Sequence, residues 1–211
     1  MTDPTDPADS AGPEGPAGSA PGDDDTDAVA WFATTGSTTV YDGRVRVRLD
    51  AVRTPDGQDV EREIVEAFDA VAVVPVDTRN RVLLLRQYRQ VVGGYVLEIP
   101  AGVLDVPGED PADAARRELA EEVQHDVGDL QHLVTYLSSG GWTTERIHLY
   151  LARGCTPGDL PAGFELQAEE ADMEIVALPL DDAVAVARAG EIVDAKSLVG
   201  LLLAGSVLGV S

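Results

Sequence analysis

Three glutamates have spacings that place them on one face of a predicted helix. At about 100° per residue, Glu118, Glu121 and Glu122 occupy an arc roughly 100° wide. Like charges four residues apart destabilise an isolated helix by about 0.2–0.5 kcal/mol. A hard divalent cation such as Mg²⁺ prefers carboxylate oxygen and would convert this repulsion into coordination. The alternative is a solvated acidic face, and the glutamates alone leave both interpretations open.

The helix that carries these glutamates has a clear start signal. Asp110 followed by Pro111 predicts an N-cap side chain and then proline at the first helical position. An apolar stripe follows on the same predicted helix, and it should pack on a sheet: Ala112, Ala115, Leu119 and Val123.

The surrounding pattern mixes strands and helices. Alternating residues around a turn at 54–57 predict a hairpin over residues 44–66. Apolar runs predict further strands, at 70–76, 81–86, 95–99, 130–137, 147–153 and 174–178, and helices at 180–189 and 197–208. Since no βαβ unit repeats, the pattern favours an α+β fold.

Acidity dominates the composition. The formal net charge is −23, and Lys196 is the only lysine among 15 basic residues. The electrostatic field of so negative a protein repels nucleic acid and anionic membranes. We therefore expect a small-molecule partner that local arginines or metal ions attract. The scarcity of lysine favours adaptation to high salt over an ordinary acidic protein. With no signal sequence, no long apolar run and one cysteine, Cys155, a cytoplasmic protein is expected.

The N-terminus differs in composition from the rest of the chain. Residues 1–28 predict a disordered acidic tail, with order beginning near Trp31. We divide the chain into a disordered acidic tail at 1–43, an N-terminal β-hairpin at 44–66 and a core domain at 67–211.

Residues 102–122 resemble the Nudix box, in which Gly, five residues, Glu and seven residues precede Arg-Glu-aliphatic-x-Glu-Glu-x-Gly. The matching positions keep their mutual spacing: Glu109, Arg117, Glu118, Leu119, Glu121 and Glu122. Two features depart from the pattern. Six residues separate Gly102 from Glu109, and Gln124 replaces the last glycine, where a left-handed helix end would be strained.

Further segments are similar to the ADP-ribose pyrophosphatase branch of that family: residues 85–89, 97–102, 140–145 and 190–196. The resemblance covers roughly residues 44–204, and the composition is similar to that of haloarchaeal proteins. The resemblance to the family implies the Nudix fold, a mixed central β-sheet sandwiched between helices. It also implies a homodimer in which the 44–66 hairpin reaches the partner's active site.

The resemblance implies roles for individual residues. Mg²⁺, with Mn²⁺ as a possible substitute, would be held by Glu118, Glu122, Glu121 and the carbonyl of Ala101. Gly102, Glu109 and Arg117 would support that site. Arg86 and Arg89 would contact the diphosphate, and Glu98 and Glu145 the terminal ribose or metal network. The catalytic candidates are Glu121, Glu169 and Glu170. For the arginines the alternative is surface ion pairing, and for Glu169 and Glu170 an ordinary acidic loop.

The implied reaction is Mg²⁺-dependent hydrolysis of ADP-ribose to AMP and ribose 5-phosphate. The box does not specify the group beyond the diphosphate, so a nucleotide sugar, NADH or flavin adenine dinucleotide stays an alternative. A sensor that binds ADP-ribose without cleaving it is a further alternative. Such modules typically lack the box carboxylates, all of which are present here.

Overall fold

In the computed structural model, which describes residues 31–161 and 172–210, the chain forms two β-sheets and three helices. The strands are β1 (Ala33–Asp42), β2 (Arg46–Arg53), β3 (Asp59–Glu66), β4 (Ala70–Asp77), β5 (Arg81–Arg89), β6 (Gly94–Glu98), β7 (Ala101–Val103), β8 (His125–Asp126), β9 (Asp129–Leu137), β10 (Arg146–Pro157) and β11 (Glu174–Pro179). The helices are α1 (Pro111–Glu122), α2 (Leu180–Arg188) and α3 (Ala195–Leu208). Glu169 and Glu170 lie outside the described residues.

The larger sheet is mixed. Its strand order is β11-β5-β4-β10-β8, with β6 on β5, β7 on β4 and β9 on β10. Strand β10 runs parallel to β4 and antiparallel to β9. The predicted α+β class with a mixed central sheet is therefore confirmed.

Strand β4 is buried on both faces because helices cover the sheet from both sides. Alternate residues of a strand point to opposite faces. Ala72 and Val74 face the cluster formed with α2 and α3, whereas Val71 and Val73 pack with α1. All four side chains have no exposed surface. This double burial fixes α1 and α3 relative to the same strand.

The predicted hairpin is present as β2 and β3, paired antiparallel from Arg46↔Glu66 to Arg53↔Asp59. Strand β1 was not predicted, because it lies within residues 31–43, which the sequence assigned to the disordered tail. It pairs with β2, and all ten of its residues are exposed. Its four threonines, Val40 and Tyr41 are residue types that favour a strand, but apolar and polar side chains do not alternate, so the periodicity that predicts a half-buried strand is missing.

The remaining elements follow the predicted positions, apart from two short strands. Strands β7 and β8 were not predicted because two or three residues are too few to show a period. None of the helices in the described ranges is long and apolar enough to cross a membrane.

Helix α1 has the predicted start and an unusual end. The Asp110 side chain accepts a hydrogen bond from the Ala112 N–H at 2.8 Å, so the predicted N-cap is confirmed. Past the C-terminal end, Gln124 has a φ of 53°, in the left-handed region that favours glycine. The residue that departs from the box pattern thus takes the backbone conformation that glycine would take there at lower cost.

We expect Gln124→Gly to raise the free energy of unfolding by about 0.5–1 kcal/mol, because a left-handed non-glycine residue costs more than the added flexibility of glycine in the unfolded chain. Urea unfolding in molar KCl measures the change. Asn80→Gly is the matched control: Asn80 has a φ of 59°, but asparagine tolerates this conformation, so little gain is expected. A destabilised Gln124→Gly variant would contradict the assignment of strain.

Candidate active site

A cavity of about 1090 Å³ opens where α1, the end of β5 and the turn after it, β7 and the start of α3 meet. Charged side chains dominate its wall: Arg44, Arg89, Asp105, Arg117, Glu118, Glu121, Glu122, Glu145, Asp194 and Lys196. The structure therefore brings together most of the candidate residues that the sequence singled out.

Arg117 connects three carboxylates at one side of the cavity. Its Nε and Nη2 donate to the two oxygens of Glu109, each at 3.0 Å. Its Nη1 donates to Glu118 at 2.7 Å and to Glu121 at 3.1 Å. The hydrogen bonds that Arg117 donates to Glu109 lower the pKa of Glu109 and raise the pKa of Arg117. Arg117 thus ties the loop before α1 to the acidic face of the helix.

Glu118 lies against the backbone of β7. Its side chain is mostly buried, and a Cβ built on Gly102 would overlap its carboxylate group. Only a residue without a side chain allows this approach. Burial, reinforced by the charge of Glu121, raises the pKa of Glu118 although Arg117 opposes the shift. A carboxylate whose charge is disfavoured in this way would gain from a nearby cation.

Glu122 reaches the same strand through a different contact. Its Oε2 accepts a hydrogen bond from the Ala101 N–H at 2.9 Å. This contact uses the N–H of Ala101, and the expected role of its carbonyl as a metal ligand stays a prediction. Both groups lie on the cavity wall, so Ala101 is close to the helix glutamates.

The glutamates of α1 have the donor chemistry that Mg²⁺ requires. Three carboxylates line one cavity, and Gly102 leaves room for the most buried of them. Within residues 31–161 and 172–210, no three acidic, His or Cys side chains are grouped as a preassembled site. The physical reason is that Arg117 and the Ala101 N–H engage the carboxylates. The glutamates therefore fit Mg²⁺, and metal–oxygen contacts would replace some of the hydrogen bonds from Arg117 and the Ala101 N–H.

A second charged network reaches the cavity through Arg89, Asp194 and Lys196. Arg89 donates from Nε and Nη2 to the two oxygens of Glu98 at 2.7 and 2.8 Å. Lys196 donates to Glu98 and, at 2.9 Å, to Asp194. Burial opposes ionisation of Glu98, but the Arg89 hydrogen bond and the Lys196 charge hold its pKa below the ordinary value. Glu98 is therefore a buried carboxylate kept charged by two cations.

The two candidate diphosphate arginines are separated. Arg89 lines the cavity, whereas Arg86, three residues earlier on β5, belongs to the other face of the strand. There Arg86 lies 3.8 Å from the ring centroid of Tyr95 and 3.4 Å from Glu174. Glu145 lines the cavity. The structure thus brings Arg89 and Glu145 to the cavity, and Arg86 is not among the residues that line it.

Sequence reasoning assigned no role to three residues of the site. Asp194 caps α3 by accepting from the Ser197 N–H at 2.9 Å, and it also binds Lys196. Arg44, from the β1–β2 turn, lines the cavity as well. The sequence did carry a signal for Lys196, since it is the only lysine. Nothing in the sequence indicated that Arg44 would come near α1.

Known proteins share both the sequence and the architecture of this chain. The family model described as the NUDIX domain matches residues 67–198. An ADP-ribose pyrophosphatase of Mycobacterium tuberculosis is 38% identical over 177 residues, 83% of this chain and 84% of that protein. A methanol dehydrogenase activator of Bacillus methanolicus is 34% identical over 163 residues, 77% of this chain and 86% of that protein. A solved ADP compounds hydrolase has a TM-score of 0.74 at 23% identity, covering 87% of this chain and 97% of its own, which supports the expected fold.

Gly102→Ala should destabilise the protein by about 1–3 kcal/mol, because the new methyl group must displace the carboxylate of Glu118. Gly141→Ala is the matched control, since a Cβ there meets no atom within 4 Å. Urea unfolding measures both variants. In a Glu118→Ala background the cost of Gly102→Ala should largely disappear, which is a direct test of the contact. An equal loss of stability in both backgrounds would mean that the methyl group does not clash with the Glu118 side chain.

Proposed function

The chain belongs to the Nudix family, and from this premise we propose that it hydrolyses the diphosphate bond of ADP-ribose to AMP and ribose 5-phosphate. The observation that carries the proposal is the shared cavity, which is lined both by the three glutamates of α1 and by Arg89. The 38% identical relative named ADP-ribose pyrophosphatase supports the choice of substrate. The cavity volume of about 1090 Å³ leaves room for a nucleotide with an attached sugar.

Glu118, Glu121 and Glu122 are the proposed ligands of Mg²⁺, or of Mn²⁺ in its place, with Ala101 beside them. When bound, the ion neutralises phosphate oxygens and lowers the pKa of an attacking water. Within this chain, Arg117 holds Glu118 and Glu121 in position from the side of Glu109. Gly102 keeps the space that the Glu118 carboxylate needs.

Arg89 is the proposed diphosphate contact. Two of its five N–H donors, one on Nε and one on Nη2, bind Glu98, which leaves the two on Nη1 and the second on Nη2 for other acceptors. A guanidinium suits phosphate oxygens because its donors lie in one plane. Water would attack one phosphorus, the phosphoanhydride P–O bond would break, and a carboxylate would take the proton. Glu121 is one candidate for this base. Glu169 and Glu170 remain candidates from outside the described residues, and Glu145 and Glu98 are proposed to contact the terminal ribose or the metal network.

The N-terminal strands suggest a homodimer. Large apolar side chains at and beside β1 are exposed: Trp31 by 75%, Phe32 by 65%, Val40 by 55% and Tyr41 by 57%. They lie in two pairs, one before the start of β1 and one near its end, and a second chain packed along β1 would bury them. We propose that a second copy of the chain covers it and that the β2–β3 hairpin reaches the partner's active site. We also propose a cytoplasmic, salt-adapted enzyme, since its substrate is a nucleotide derivative and its net charge is −23.

The reaction is tested with purified protein in molar KCl and Mg²⁺, offering ADP-ribose beside GDP-mannose, NADH and flavin adenine dinucleotide. AMP and ribose 5-phosphate should form fastest. Glu122→Gln should lower kcat by a factor of about 10² or more, because an amide replaces a charged metal ligand. Asp113→Asn on the exposed side of α1 should retain activity. Faster turnover of another compound would make that compound the proposed substrate in place of ADP-ribose. Binding of ADP-ribose without turnover would favour a sensor that binds it and does not cleave it.

Gel filtration in molar KCl should show a dimer, and Val40→Asp should shift it toward a monomer by placing charge on the exposed β1 surface. Val207→Asp is the control, because Val207 is similarly exposed, at 48%, but lies at the end of α3. A wild-type protein that is monomeric and fully active would overturn the proposed assembly.

A further inference from the structure

The charged network around Glu98 connects the end of β6 to the start of α3. The Lys196 ammonium contacts both Glu98 and Asp194. Asp194 accepts from the N–H and hydroxyl of Ser197, and the Ser197 Oγ in turn accepts from the Ile99 N–H at 2.8 Å. Glu98 and Ile99 are thus bound by two residues of α3, Lys196 and Ser197, and the N-cap residue Asp194 contacts both of these. This closed set of contacts gives Glu98 a fixed position.

Glu98 in turn orients Arg89. The contact is bidentate, with one carboxylate oxygen for Nε and the other for Nη2. Such a fork sets the plane of the guanidinium as well as its distance. The Glu98 side chain is only 3% exposed, whereas that of Arg89 is 41% exposed and lines the cavity. The buried partner therefore determines how the exposed one faces the cavity.

Lys196 also balances the charge of this group. Glu98 and Asp194 carry two negative charges, and Arg89 and Lys196 carry two positive charges. Without Lys196, Arg89 would be the single cation for two carboxylates, and its guanidinium would be drawn away from the bidentate geometry toward Asp194. The charge of Asp194 already acts on Arg89, because it helps to raise the pKa of that arginine, after the larger effects of Glu98 and Glu122.

We propose that Lys196 is a positioning residue that acts through Glu98 to hold the Arg89 guanidinium in the orientation that binds the diphosphate. The proposal rests on the proposed function. A lysine suits this place because its compact ammonium contacts Glu98 and Asp194 together, with a side chain 16% exposed. An arginine would present a second planar fork and compete with Arg89 for the Glu98 oxygens. The only lysine of an arginine-rich chain stands where a planar cation would disturb its neighbour.

The test is a double-mutant cycle of Lys196→Met and Arg89→Met, read as KM and kcat for ADP-ribose. In the wild-type background, Lys196→Met should raise KM about tenfold and change kcat by less than about twofold. In the Arg89→Met background the same substitution should change KM by less than about twofold, because the group it positions is gone. An equal rise in both backgrounds would mean that Lys196 acts on the substrate directly, and an unchanged KM would also overturn the proposal.

Two measurements separate this role from loss of stability. Val184→Ala removes part of a fully buried core side chain on α2 and should lower the free energy of unfolding without raising KM. Lys196→Gln, which keeps a hydrogen-bond donor, replaces Lys196→Met if that variant does not fold. If the wild-type protein does not hydrolyse ADP-ribose, the proposed function fails. The dissociation constant of ADP-ribose is then measured by calorimetry for the same set of variants. Lys196→Met should weaken binding in the wild-type background and have little effect in the Arg89→Met background. Equal effects in the two backgrounds would refute the role of Lys196.

Discussion

Electrostatic repulsion among the carboxylates of α1 is the constraint on which the site depends. Glu118, Glu121 and Glu122 lie on one helix face in a chain whose net charge is already −23. Coulomb repulsion at such distances is weak in water but stronger at a partly buried surface. Arg117 offsets it by engaging Glu109, Glu118 and Glu121 together, and Ala101 donates to Glu122. The acidic face can therefore exist before any cation binds, and a metal ion would take over part of this role.

Burial of the central sheet gives the carboxylates their fixed surroundings. Because β4 is covered by α1 on one face and by α2 and α3 on the other, the helices cannot move independently of the strand. The same strand pairs with β7, which brings Gly102 against Glu118. Apolar packing at close to crystal density transmits position over such distances because it tolerates little displacement. The precision of the polar site thus derives from an apolar core of mainly Val, Leu and Ala.

Most of the cationic side chains at the cavity form ion pairs with carboxylates. Arg117, Arg89 and Lys196 all have acidic partners, so the binding of an anionic substrate depends on donors left over after pairing. This arrangement differs from a simple basic pocket. Each arginine is oriented by a carboxylate, and its remaining N–H groups are available in a defined direction. Local orientation can therefore attract a diphosphate even though the long-range field of the protein repels it.

The sequence by itself determined the helix of the glutamates, its cap at Asp110, the hairpin and most strands of the central sheet. These depend on local periodicity and on residues such as Pro111 that restrict the backbone directly. Strand β1 was not predicted, because apolar and polar side chains do not alternate along it. Only the tertiary structure decided that Arg89 reaches the cavity while Arg86 lies on the other face, and that Lys196 and Arg44 join the site. Those positions depend on contacts between residues far apart in the chain, as with Glu98 and Lys196, which no local pattern encodes.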